Sequence, residues 1–250
     1  MKFDVVTLFP EMVEQSAKAG VVGRAFEAGI LQLGVWNPRD YTTDKHRTVD
    51  DRPYGGGPGM VMKPEPLAAT LQDVAKNGKA KVVYMSPQGK PLTHELAKAL
   101  SKSEHVVLLC GRYEGVDQRV LDTLVDEEIS IGDYVLSGGE LAALVVMDAV
   151  GRLVPEVLGG KQSAEQDSFS DGLLDCPHYT RPEQYEGQSI PEVLKSGNHQ
   201  AIEAWRYQTR VERTQVLRPD LIDNCLRAWP ASSVQGKRLR AALNEIDTQN

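Results

Sequence analysis

This 250-residue sequence is poor in cysteine, in long apolar runs and in positive charge. Each shortage excludes something. The three cysteines, Cys110, Cys176 and Cys225, are odd in number, widely spaced and form no CxxC pair, so neither a disulfide framework nor a cysteine-based zinc site is expected. No run of about 18 apolar residues occurs, which argues against a membrane-spanning helix. The N-terminus lacks the basic-then-apolar pattern of a signal peptide, so a cytoplasmic location is expected. Net charge is −7 and pI about 5.3, so no global basicity announces a nucleic-acid binder. Local basic patches, not totals, decide that question.

Familiar catalytic signatures are missing too. Gly78-Lys79, Gly89-Lys90, Gly160-Lys161 and Gly236-Lys237 all lack the serine or threonine that completes a P-loop. No GxGxxG follows a strand, and neither HExxH nor GxSxG occurs. Standard NTPase, dehydrogenase, zinc-protease and serine-hydrolase sites are thereby excluded.

What is present is a soluble globular composition, 41% hydrophobic and 25% charged. Strand-like runs at Lys2–Leu8, Leu31–Trp36, Lys81–Met85, His105–Cys110 and Glu128–Ile131 alternate with helical patterns at 11–19, 22–27, 65–76, 93–101, 116–124 and 140–153. That alternation predicts a largely parallel sheet covered on both faces. The polar segment Asn37–Pro58 has little periodicity, and loops of that length are usually functional or disordered. After Pro155 the texture changes. Helices are expected over 199–216, 221–228 and 233–246, with no strand-like run. Arg206, Arg210 and Arg213 share one face of the first of these.

Three glycine- or proline-rich breaks fall after strands: Ser86–Gly89, Cys110–Gly115 and Ile131–Glu140. A tight turn would account for one Gly-Gly pair, but three such breaks at strand ends suit a ligand crevice. Asp50–Met60 packs glycines and prolines beside two carboxylates and Arg52, with Lys45, His46 and Arg47 upstream as phosphate donors. It reads as a substrate or RNA loop, with a linker as the plain alternative. By spacing alone Arg152 is explained by a helix dipole and Asp167 by solvation. The arginine face likewise suits a solvated helix surface.

The blocks Leu8–Met12, His46–Met60, Ser86–Gly89, Cys110–Gly115, Ile131–Glu140, Asp167–Phe169 and Leu174–Pro182 together resemble the bacterial tRNA (guanine-N1)-methyltransferase family, TrmD, over residues 1 to about 217. The resemblance implies a SPOUT-type α/β fold, a mostly parallel sheet with a deep trefoil knot, plus a small all-α C-terminal domain. It implies a cofactor domain over 1–159, a flexible linker over 160–171 and a tRNA-binding domain over 172–250. S-adenosylmethionine would bind at Pro87, Gly111, Tyr113, Glu114, Ile131, Gly132, Asp133, Tyr134, Val135, Leu136, Gly138 and Gly139. The methyl group would pass to N1 of the guanosine following the anticodon, position 37. Asp167 would act as general base and Arg152 would stabilise charge on the guanine. His46, Asp50, Arg52, Gly55, Gly59, Arg112, Asp175, Arg206, Arg210 and Arg213 would contact the RNA. Mg²⁺ dependence without an assigned ligand, and a homodimer with the site at its interface, are also implied; no membrane association is. Two rivals remain: a related knotted methyltransferase acting elsewhere on RNA, and a non-catalytic RNA-binding protein with a vestigial pocket.

Overall fold

The computed structural model describes residues 1–76, 78–159 and 166–249. The chain divides into two compact units, Met1–Lys161 and Gln162–Asn250.

In the first unit the elements run β1 (Lys2–Val6), α1 (Pro10–Ser16), α2 (Gly20–Glu27), β2 (Gln32–Trp36), a 3₁₀ turn (Pro38–Tyr41), β3 (Asp50–Asp51), β4 (Val61–Met62) and α3 (Pro64–Ala75). They continue β5 (Lys81–Pro91), α4 (His94–Leu100), β6 (His105–Cys110), α5 (Gln118–Leu124), β7 (Glu127–Ser130) and α6 (Glu140–Gly151). The central sheet has the order β2-β1-β6-β5-β7 and every pairing in it is parallel.

Strand alternation builds two cores. On β6, Val106, Leu108 and Cys110 face one side and join residues of α1, α2, α4 and α6; Val107 and Leu109 face the other and join α3 and α5. The near-continuous apolar run of β6 is thus a strand buried on both faces, at the centre of the sheet. Pro10 and Pro64 occupy first-turn positions of α1 and α3, where a missing N–H costs no helical bond. The Thr93 hydroxyl caps α4 by accepting from the Leu96 N–H.

One strand is longer than its sequence suggests. β5 does not stop at Met85 but runs on to Pro91. Its pairing with β7 slips between Met85 and Lys90, both of which lie opposite Ile129. The four residues between bulge out, and Ser86 Oγ braces the bulge by accepting from the Gln88 N–H. Gly89 is required there, because a Cβ would stand 2.4 Å from the Glu128 carbonyl carbon. The polar segment before Pro58 also contains more than loop: Asp50 and Asp51 pair antiparallel with Met62 and Val61.

In the second unit come β8 (Gln184–Tyr185), β9 (Gln188–Ser189), a 3₁₀ turn (Glu192–Lys195), α7 (His199–Leu217), α8 (Pro219–Ala228) and α9 (Val234–Gln249). Leu173, Val211, Ile222, Cys225, Leu239 and Ala242 form its core. Among the described residues, the regular structure of this unit is helical apart from the β8–β9 hairpin. Strands this short carry no periodicity; only Glu186 (φ 49°) and Gly187 (φ 80°), a left-handed pair, mark the tight turn. Of the expected linker, residues 160–165 lie outside the described residues. Residues 166–171 belong to the second unit, where Asp171 pairs with Arg210. Among the described residues, no helix is long and apolar enough to cross a membrane.

Candidate active site

Beside the bulge of β5 and at the C-terminal ends of β6 and β7 lies a cleft, open to solvent, walled by that bulge and by the loops after β6 and β7. Of the residues expected to hold a cofactor, Pro87, Gly111, Tyr113, Glu114, Ile131, Gly132, Tyr134, Val135, Leu136, Gly138 and Gly139 line it. Asp133 is not among the lining residues. The three glycine- or proline-rich stretches therefore converge on one place, although the first is a bulge within β5.

Close approach explains these glycines. The Gly139 N–H donates to the Gly111 carbonyl at 3.0 Å, so the segment entering α6 lies directly against the loop after β6. A Cβ at Gly111 would stand 2.6 Å from Tyr84 Oη. Tyr84 was not expected here: within Val82–Met85 it reads as one more apolar strand residue. It lines the cleft just before the β5 bulge, and burial together with the charge of Glu128 pushes its phenol pKa up. Its position near the C-terminal end of the expected strand Lys81–Met85 was the available signal. Cys110 is fully buried and its thiol is pushed well up by burial and by Glu140, so it offers no thiolate.

The Asp50–Met60 loop joins this site. The Glu114 N–H donates to the Met60 carbonyl at 2.9 Å, and Met62 N–H to the Gly115 carbonyl at 2.9 Å. Gly59 nests so closely on Glu114 that a Cβ would meet its Oε1 at 2.3 Å. Tyr113, in the left-handed region at φ 61°, has its phenol raised by partial burial and by the nearby charge of Asp50. Gly59, expected for substrate, and Glu114, expected for cofactor, are thus close-packed. His46, Arg52 and Gly55 are exposed, and Arg47 pairs with Asp40.

Arg112, expected to contact RNA, is held by groups of the protein itself. Its Nε lies 3.0 Å from Glu140 Oε2, its Nη2 lies 2.9 Å from the same oxygen, and its Nη1 donates to the Ser137 carbonyl at 3.1 Å. The guanidinium is committed to the protein.

Arg152 is the C-cap residue of α6, with its N–H on the Asp148 carbonyl. Asp167 is half-buried, in a turn whose carbonyl accepts from the Ser170 N–H and hydroxyl. Within the second unit, Arg206 is exposed beside Glu203 at 2.9 Å, and Arg213 is exposed. Arg210 differs: its Nη1 donates to Asp171 at 3.0 Å and its Nε to the Leu174 carbonyl at 3.1 Å, clasping the 171–174 segment to α7. The Asp175 carboxylate accepts from the Cys176 N–H at 2.7 Å and bonds His178 at 2.8 Å.

Comparison with known proteins agrees with this geometry. The family model described as tRNA (Guanine-1)-methyltransferase TrmD matches residues 1–224. A protein of Shewanella loihica named tRNA (guanine-N(1)-)-methyltransferase is 60% identical over 226 residues, 90% of this chain and 91% of that protein. One of the same name from Shewanella amazonensis is 57% identical over 250 residues, 99% of this chain and 98% of its own length. Another, from Halorhodospira halophila, is 58% identical over 223 residues, 88% of this chain and 84% of that protein. The chain is an enzyme of the tRNA (guanine-1)-methyltransferase TrmD family.

Proposed function

We propose that the protein transfers a methyl group from S-adenosylmethionine to N1 of the guanosine that follows the anticodon, tRNA position 37. The observation that carries this reading is the convergence of three backbone-rich stretches on one cleft in a chain of this family. The cleft suits the cofactor. Glycine backbone supplies amide and carbonyl groups for an adenine and ribose, Pro87, Ile131, Tyr134 and Leu136 offer apolar cover, and Glu114 supplies one negative charge for a cationic ligand. When bound, the cofactor presents an electrophilic methyl group on a sulfonium.

The chain's own residues then do the rest. Guanine N1–H is weakly acidic, so Asp167 accepts its proton as N1 becomes the nucleophile. Arg152 holds the negative charge that develops on the guanine carbonyl oxygen. The apolar cover keeps water from competing for the methyl group. The guanosine must leave its stack to reach the cleft, and the Asp50–Met60 loop, joined to Tyr113 and Glu114, is the element beside it that can receive the base. Arg206 and Arg213 on α7 provide cations for the tRNA backbone.

The reading includes the trefoil knot, which rests on the family membership alone. It includes a homodimer as well. Val135 (84% exposed), Tyr134, Leu141 and Val145 leave an apolar surface beside the cleft and along α6 that a second copy would cover. Mg²⁺ is not matched by a preformed site. Among the described residues, one group of three potential ligands was found, Asp175, Cys176 and His178, with donor atoms within 4.8 Å of one another. Sulfur and imidazole donors suit softer cations, whereas Mg²⁺ takes oxygen. No step is assigned to the ion.

The test is methyl transfer from labelled S-adenosylmethionine to two tRNA transcripts differing only in guanosine or adenosine at position 37. Transfer to the guanosine transcript alone, falling by about 10²–10⁴-fold in Asp167→Ala, is expected. A folded protein that binds cofactor and methylates neither transcript would leave the RNA-binding reading in its place.

A further inference from the structure

The Leu8–Met12 block carries the family resemblance yet has no part in the chemistry above. Its environment gives it one. The Phe9 N–H donates to Thr7 Oγ1 at 2.9 Å, and the Thr7 hydroxyl donates to Glu140 Oε1 at 2.7 Å. Glu140, wholly buried, also accepts from Arg112 Nε at 3.0 and 3.2 Å. The Arg112 guanidinium lies over the Phe9 ring at 4.3 Å from its centroid, which closes the circuit. A carboxylate removed this completely from water is tolerated only when its partners are fully placed, and here every partner comes from a different part of the fold. Thr7 directly follows β1, Arg112 lies in the loop after β6, and Glu140 opens α6, where the helix N-terminus also favours an anion.

The circuit reaches the cleft at one point. Arg112 Nη1 holds the Ser137 carbonyl, and a Cβ at Gly138 would stand 2.1 Å from Arg112 Nε. Ser137, Gly138 and Gly139 are cleft wall.

We infer that Phe9, Thr7, Arg112 and Glu140 form a positioning network that holds the Ser137–Gly139 wall in its ligand-ready shape before the ligand arrives. None of the four is a catalytic residue; they act through the wall. The inference takes the cofactor reading of the cleft as its basis, but its effect on wall order is present in the free protein.

The experiment compares Thr7→Val, Thr7→Ser and Glu140→Gln in the full chain, with two readouts. Amide hydrogen exchange of residues 137–139 without ligand reports wall order, and calorimetry with S-adenosylmethionine, well below each variant's melting temperature, reports affinity. Thr7→Val is expected to speed exchange at 137–139 and weaken cofactor binding by on the order of tenfold, the worth of about one charge-assisted hydrogen bond. Protection in β6 and kcat at saturating cofactor should stay as in the unaltered protein. Thr7→Ser, which keeps both hydroxyl bonds, should restore both readouts. Glu140→Gln should exceed Thr7→Val. Should Glu140→Gln fail to fold, the threonine pair decides alone. A lower melting temperature with unchanged exchange at 137–139 and unchanged affinity would make the network a stability element only and overturn the inference. Should the unaltered protein bind no S-adenosylmethionine, the functional reading falls, while the exchange measurement still judges the network.

Discussion

A methyl group added at Gly139 would stand 2.8 Å from Cys110 Cα, whereas one added at Gly55, Gly56 or Gly57 would meet nothing within 4 Å. Gly139 has an ordinary helical backbone (φ −77°) that any residue could adopt. The other three have φ of 85°, 76° and 117°, which side chains disfavour. Glycine therefore serves space at Gly139 and conformation at Gly55–Gly57. The first makes a close-packed wall, the second an exposed loop whose shape is set by its own backbone. The second unit repeats the contrast with arginine. Arg210 is enclosed and clasps the chain, while Arg206 stands in solvent one turn away.

The sharpest way to break the comparison is Gly139→Ala. The new Cβ meets backbone, which cannot rotate away, so about 1–3 kcal/mol of stability should be lost. Cofactor binding by calorimetry should fall with it. Next comes Arg210→Glu, which places two like charges at Asp171 and frees the Leu174 carbonyl. Denaturant unfolding should show loss localised to the second unit, with cofactor affinity retained. Gly56→Ala should cost about 1–2 kcal/mol or less, from backbone conformation alone, and leave cofactor affinity unchanged. An effect on affinity equal to that of Gly139→Ala would erase the distinction between the two stretches. Arg206→Glu should leave stability within about 0.5 kcal/mol and reduce tRNA affinity and its salt dependence. Unchanged tRNA binding would remove that residue from the interface.

The smallest expected effect is acid sensitivity at the sheet edge. Glu127 on β7 lies 2.7 Å from Lys81 on β5, and that ion pair, against some burial, holds its carboxyl below the usual range. A depressed carboxylate stabilises the fold above its unfolded pKa, and that contribution is lost as pH falls through the lower folded pKa. Glu127→Gln should remove this pH dependence, worth below about 1 kcal/mol, from acid-unfolding curves.

Much of the site was legible because it is written in backbone chemistry. The stretches Cys110–Gly115 and Ile131–Glu140 are glycine-marked, and their residues do meet in one cleft. Ser86–Gly89 was legible as an interruption but not as a bulge. Pro87 reads as the end of a strand, and only the β7 backbone pressed against Gly89 shows that pairing resumes. Tyr84 was hidden by its apolar neighbours. Arg112 was expected as an RNA contact on the resemblance alone, while its partner Glu140 lies 28 residues on. Thr7, which completes that site, lies 133 residues from Glu140.

The sequence by itself determined the alternation of strands and helices, the doubly buried centre at β6 and the places where backbone could approach a ligand. Those properties follow from side-chain periodicity and from glycine and proline geometry, which act over a few residues. Tertiary structure alone decided which charges face solvent and which are taken: Arg206 is exposed and Arg210 enclosed, though both lie on the same face of α7. The reason is physical. A charged side chain's role depends on the carboxylate or carbonyl that folding brings within about 3 Å, and local sequence does not encode that distance.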